Sequence, residues 1–310
     1  MTSTPTLSAA WDTAAWTDIP GVAPLSWQGS DHHISEATLG TGERALRKAP
    51  RDLVPVLSCD AGSARVAAAE VGVGPRVLVY DAASGFTIEE HLGDRWRVAT
   101  SLRLKNPEVL ASFGRARMRF RTSEATLPVR DMLAEVNLLA ALVADATGGT
   151  EPGDGLPSGG VAEAFALLPR LTAALADGPA PSPCWMSSEI SDIQLGPDGA
   201  VLLTGGTAAG IADPLADVGA ALAGLAPYCA TAEDAFEALW DDDHPGAFAR
   251  AVLWSIVADL RAALVSIVAH GSDPDAGYSM YALRRGWKLT FSVGADDLDT
   301  LLTTAQKGWK

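Results

Sequence analysis

The chain has little cysteine, little histidine and few aromatic residues, and each shortage closes off a class of function. It has 310 residues and 3 cysteines. Cys59, Cys184 and Cys229 are odd in number and show no CxxC spacing. That argues against a disulfide framework or a structural zinc site, and fits a reducing cytoplasm. They read as small buried side chains. The 5 histidines include the adjacent His32 and His33 but no HExxH or other metal spacing. Aromatic residues make up 6%, and the 9 tryptophans are scattered, with no stacking platform for bases. Positive charge is also scarce. There are 23 Lys and Arg against 38 Asp and Glu, for a net charge of −15. So acidic a protein repels phosphate backbones and anionic lipid, so neither nucleic acid nor a membrane is an expected partner. No uninterrupted apolar run approaches the roughly 18 residues of a membrane span. Met1 to Ala10 is polar, without the basic and apolar stretches of a secretory signal. What remains is globular composition, 48% hydrophobic, long enough for one large domain or two modest ones.

The first third is short-period and rich in turns. Ile34 to Pro50 predicts two strands around Gly40-Thr41-Gly42, the second over Ala45 to Lys48. Ser63 to Val71 is alanine-rich and predicts a helix, stopped by Gly72 and Gly74-Pro75. Arg76 to Tyr80 and Phe86 to Leu92 predict two more strands around a turn. The remainder is mainly helical, with helices expected over Pro107 to Arg121, Val129 to Thr147 and Val161 to Ala176. Gly148 to Gly160 is a loop. Ile190 to Leu203 predicts a hairpin turning at Gly196-Pro197-Asp198-Gly199. Phe248, Val252, Ile256, Leu260, Leu264 and Ile267 recur at helical spacing, and Tyr278 to Lys288 starts a last amphipathic region. The fold class is therefore α+β, with a small β-rich lobe followed by a larger helical one.

Five segments carry a family resemblance. Glu70 to Leu78 (EVGVGPRVL) reads as a helix-to-strand joint, and Ile88-Glu89-Glu90-His91-Leu92 as a hinge strand. Ala209 to Val218 (AGIADPLADV) follows the pattern A-G-x-x-D-P-x-x-D-L, and Val257 to Arg261 with Tyr281 to Arg285 suits the closing helices. In this order and spacing, from about Pro24 to Leu302, the chain resembles the aminoglycoside phosphotransferase and choline kinase family. That family has a two-lobed protein-kinase-like fold. The resemblance implies an N-terminal extension over 1–23, an N-lobe with hinge over 24–92, and a C-lobe over 93–310 with the catalytic-loop hairpin at 184–204.

The same resemblance implies that the catalytic machinery is degenerate. Phosphoryl transfer needs metal ions on the phosphates, a lysine beside them and a carboxylate to orient the acceptor hydroxyl. In the family an aspartate two residues after a histidine supplies that carboxylate. An asparagine five residues later binds metal, and a second metal-binding aspartate follows the hairpin. Aligned on the hairpin, Trp185 falls at the histidine, Ser187 at the catalytic aspartate, Asp192 at the asparagine and Gly205 at the second metal aspartate. Serine lacks the carboxylate charge, and glycine has no side chain to ligate with. The only nearby acids are Glu189, Asp192 and Asp198; Asp241-Asp242-Asp243-His244 reads as a solvated acidic turn.

On the nucleotide side, Gly29 and Ser30 fall in the phosphate loop, Arg47 or Lys48 at the basic position of the third strand, and Glu90 at the hinge. Lys48 and Asp60 either pair, which would complete the usual cation–carboxylate contact, or are two separate surface charges. Asp217 would bond the backbone around Ser187. Trp185 either fills the cleft or packs in the core. Arg115, Arg117, Arg119 and Arg121 either pair within the chain or face a partner. The expected function is that of a cytoplasmic pseudokinase-type protein that binds a partner protein or a small ligand, with at most weak affinity for ATP and Mg²⁺. One alternative is an active small-molecule phosphotransferase with relocated acids, Asp192 on the metal and Glu189 orienting the acceptor. Another is a structural subunit pairing with an active relative.

Overall fold

The computed structural model describes residues 11, 13–19, 32–51, 54, 60–242, 244–273 and 277–308. Cys59 and the phosphate-loop candidates Gly29 and Ser30 lie outside them. The N-lobe is an antiparallel sheet of β1 (Thr17–Ile19), β2 (His32–Thr38), β3 (Arg44–Pro50), β4 (Val77–Asp81) and β5 (Phe86–Glu90), in the order β1-β2-β3-β5-β4. Its edge strand β1 comes from the segment expected to be an extension. Helix α1 (Ala61–Glu70) starts where Asp60 accepts a hydrogen bond from the Ser63 amide at 3.0 Å. Its alanine face lets it lie close to the sheet. A Cβ at Gly62 would run into the Tyr80 ring.

The C-lobe opens with β6 (Arg97–Val98), the short α2 (Ser101–Leu104) and α3 (Pro107–Arg121), followed by α4 (Met132–Thr147). The helix expected over Val161 to Ala176 is two, α5 (Val161–Ala166) and α6 (Leu168–Ala174). Pro169 explains the break, because it has no N–H to donate and its ring crowds the carbonyl four residues back. Then come β7 (Ser182–Cys184), the predicted hairpin as β8 (Ile193–Leu195) and β9 (Val201–Leu203), and β10 (Gly210–Ala212) paired with β7. Helices α7 (Pro214–Leu225), α8 (Ala232–Leu239), α9 (Ala247–Ser272), α10 (Tyr278–Val293) and α11 (Leu298–Gly308) complete the lobe.

Helix α9 is the axis of the C-lobe core, against which α4, α7, α10 and α11 pack. Folded, it is a helix of 26 residues, long and apolar enough by length and composition to cross a membrane. Of its most apolar window 67% is buried, which is how a core helix uses such a sequence. Cys184 and Cys229 are buried free thiols, as the composition suggested. Met280, Leu283, Trp287 and Phe291 stay exposed along α10.

Candidate functional site

The site is built where the sheet meets the hairpin. Strand alternation sends Leu46 and Lys48 of β3 to one face and Arg47 to the other. Leu46 and Lys48 line a cavity of about 410 Å³ between the lobes. Arg47 turns away, its guanidinium carbon 5.0 Å from the Trp16 ring centroid and its Nη2 donating to Ser35 Oγ at 3.2 Å. The geometry thus places Lys48, not Arg47, in the cleft.

Lys48 does not pair with Asp60. Register sets Leu46 opposite Glu89 and Lys48 opposite Thr87, so Glu89 is a diagonal neighbour of Lys48 on the cleft face. Lys48 Nζ lies 2.8 Å from Glu89 Oε2 and donates to the Thr204 carbonyl at 3.0 Å. Asp60 is engaged elsewhere, capping α1 and accepting from the Tyr80 hydroxyl. Burial and that neighbouring carboxylate hold the Tyr80 phenol well above its ordinary range.

A second buried cation completes the cluster. Arg65 projects from α1 with 2% exposure. Its Nε donates to the Gly205 carbonyl at 2.9 Å and lies 3.5 Å from Glu89 Oε1. Its other nitrogens donate to Thr87 Oγ1 at 3.2 Å and to His32 Nε2 at 2.6 Å. Burial alone would raise the Glu89 carboxyl, but the charges of Lys48 and then Arg65 outweigh it and hold the group below the usual carboxylate range. The two cations therefore latch the N-lobe onto the carbonyls of residues 204 and 205, just past the hairpin.

The catalytic-loop positions are equally committed. Ser187 Oγ donates to Asp192 Oδ2 at 2.6 Å and accepts from the Glu189 amide at 3.1 Å. Asp192 lines the cleft, yet its carboxylate fills the space a side chain at 205 would need. A Cβ at Gly205 would collide with it. Met186, just before Ser187, holds a left-handed φ of 49°. The loop is pinned from below by Asp217, whose Oδ1 accepts from the Trp185 and Met186 amides at 2.8 Å each. Arg117 Nη2 meets the same oxygen at 2.6 Å, and Arg121 lies 3.6 Å from the other. Burial would raise the Asp217 carboxyl; Arg117 and Arg121 bring it down below its ordinary range. Two arginines of the basic run thus face inward, onto this buried acid.

Trp185 is 1% exposed and packs edge-on against Phe120, ring centroids 5.1 Å apart. It sits in the C-lobe core and lines neither cavity, so it does not plug the cleft. Glu90, the hinge candidate, lines the cleft, but its N–H donates to the Arg76 carbonyl at 2.9 Å. Its carboxylate accepts from the Arg76 amide at 2.9 Å. Glu189 lies outside this cleft, in a second cavity of about 250 Å³ behind the loop.

Solved structures share this architecture. A choline/ethanolamine kinase family protein from Mesorhizobium loti matches with a TM-score of 0.74 at 18% identity, over 99% of this chain and 96% of that one. The fold is that of the choline and aminoglycoside kinases. The choline kinase LicA from Streptococcus pneumoniae matches at 0.67 and 14% identity, over 90% and 94% of the two chains. An aminoglycoside phosphotransferase in a ternary complex with ADP and hygromycin B matches at 0.55 and 14% identity, over 92% and 96%. No protein-family model and no curated protein matches the sequence.

At the two positions that the resemblance assigns to metal, the side chains supply a single carboxylate, that of Asp192. Hard cations take several oxygen ligands. Here Gly205 offers no side chain, and Asp192 Oδ2 accepts from the Ser187 hydroxyl at 2.6 Å. Among the described residues, no group of three or more His, Cys, Asp or Glu converges as a metal site. Sequence reasoning missed Arg65 and Glu89. Their signals were one arginine in an otherwise small-residue helix and a second acid beside Glu90.

Proposed function

We propose that this chain is a catalytically degenerate member of the kinase fold, a cytoplasmic protein that acts by binding a ligand rather than by transferring phosphate. The observation that carries this reading is the pair Ser187 and Gly205 at the two acidic positions, with the Asp192 carboxylate packed into the space that a side chain at 205 would fill. Losing a carboxylate that acts in the transition state costs several orders of magnitude in rate. Lys48 departs from the expected arrangement in its partner: the carboxylate beside it comes from Glu89 of β5 and not from α1, and its ammonium also donates to the Thr204 carbonyl.

A second reading has one observation in its favour: a carboxylate, Asp192, lies within hydrogen-bond reach of position 187 in the cleft wall. An active phosphotransferase could use it on the metal, with Glu189 at the acceptor. Glu189, however, is bound by Arg285, Tyr281 and Ser188. Calorimetric titration of ATP with and without Mg²⁺ separates the two. Degeneracy predicts that Mg²⁺ adds no affinity. Metal-dependent binding that Asp192→Ala abolishes would favour the active enzyme.

A further inference from the structure

The second cavity lies between the loop Ser188–Ser191, the segment Val98–Ser101, and helices α7 and α10. At about 250 Å³ it is slightly smaller than the roughly 300–1,000 Å³ of ordinary small-molecule sites. Three cations line it, Arg284, Arg285 and Lys288, against one carboxylate, Glu189. That carboxylate is spent. Arg285 Nη2 lies 2.7 Å from it, and the hydroxyls of Tyr281 and Ser188 donate to the same oxygen. Asp259, just outside, pairs with Arg285 and with Lys288 Nζ at 3.0 Å. Three cations against two acids leave one positive charge over. It sits on Arg284, which stacks on Tyr228 at 5.4 Å and has no carboxylate partner among the described residues.

Independent features point the same way. Burial lowers the Lys288 ammonium below its ordinary range against the pull of Asp259, and the like charges of Arg285 and Arg284 lower it further. An anion in the cavity would relieve that repulsion. Ser191, in the wall shared with the first cavity, is 6% exposed, and its hydroxyl has no hydrogen-bond partner. In a chain of net charge −15, surplus positive charge around a concavity is not the background state.

We propose that this second cavity binds a small oxyanion, a carboxylate or phosphate carried on a compact molecule. Arg284 supplies the planar fork that matches such groups, and Lys288 a second charge. The inference rests on the second cavity alone and stands whether or not the first is catalytically dead.

The test is calorimetry on the full chain with succinate, inorganic phosphate and glycerol phosphate, and with choline chloride as a cationic control. At least one oxyanion should bind with a Kd below about 1 mM, weakening as salt is added, while choline gives no heat. Arg284→Ala should weaken binding about tenfold or more, and Arg284→Glu should abolish it. Lys48→Met should leave it unchanged, which distinguishes the two cavities. Arg284 is only half-buried, and Arg284→Gln provides a second, gentler variant whose thermal unfolding confirms the fold. Silence from every oxyanion at about 10 mM would overturn the proposal. So would binding lost on Lys48→Met but retained on Arg284→Ala, or a preference for choline.

Discussion

Glu89→Gln tests the charge cluster in the wall of the cleft. The Glu89 side chain is 2% exposed and faces two cations, Lys48 Nζ at 2.8 Å and Arg65 Nε at 3.5 Å. It also accepts from the Thr87 hydroxyl at 2.9 Å. At an effective dielectric of about 20, each of those charge pairs is worth about 5 kcal/mol before desolvation is counted. The amide keeps the shape and one acceptor, so part of the Lys48 contact survives. Two buried cations are nonetheless left without their counter-charge, and breaking a buried pair this way costs about 3–5 kcal/mol. We expect about 3 kcal/mol, at the lower end, from urea unfolding at pH 7 followed by circular dichroism and tryptophan fluorescence. The pH dependence has a definite sign. The folded Glu89 carboxyl lies below its ordinary value, which is about 4.3 in an unfolded chain. Its contribution is therefore complete above that unfolded value and fades as pH falls through the folded one. The gap between the two proteins should stay constant near neutrality and narrow on acidification. A difference under about 1 kcal/mol at pH 7 would show that Glu89 does not neutralise this pair.

Further expectations follow from the loop. Gly205→Ala should destabilise by about 1–3 kcal/mol through its collision with Asp192, and the cost should shrink in an Asp192→Ala background. A double-mutant cycle checks this, with a coupling of about 1 kcal/mol or more expected between these neighbours. Trp185→Ala should cost about 3–5 kcal/mol in denaturant unfolding, as expected of a core side chain rather than a cleft plug. Arg117→Ala leaves Asp217 buried with reduced compensation and should cost about 3–5 kcal/mol. Hydrogen exchange should then quicken at the Trp185 and Met186 amides, which Asp217 holds.

Much of the architecture was legible in residue order. The Gly40-Thr41-Gly42 turn, the 107–121 helix with Pro107 at its start, and the Gly196 to Gly199 hairpin are signalled by local chemistry. Pro169 was equally readable and marks the break between α5 and α6. The identity of the cleft lysine was not settled by a motif, because Arg47 and Lys48 are adjacent cations. Only the pairing of β3 with β5 decides which faces the cavity. The Lys48 partner was hidden for a related reason. Asp60 was the one acid the resemblance offered as a partner, while the acid that reaches Lys48 lies 41 residues on, in a strand brought alongside by the fold. Arg65 and the cations of the second cavity were invisible for the same cause. They take their meaning from tertiary neighbours such as Gly205, Asp259 and Glu189, none of them near in sequence. The proposed degeneracy at Ser187 and Gly205 rests on the hairpin used as a ruler along the sequence.

The central claim is the absence of phosphoryl transfer, and a turnover assay meets it most directly. Purified protein would be incubated with ATP and Mg²⁺ across aminoglycosides, choline-like amines and sugars, and ADP and phosphorylated product measured. The account predicts no transfer above the protein-free rate, and no change on Lys48→Ala. Robust turnover that Lys48→Ala removes would contradict it.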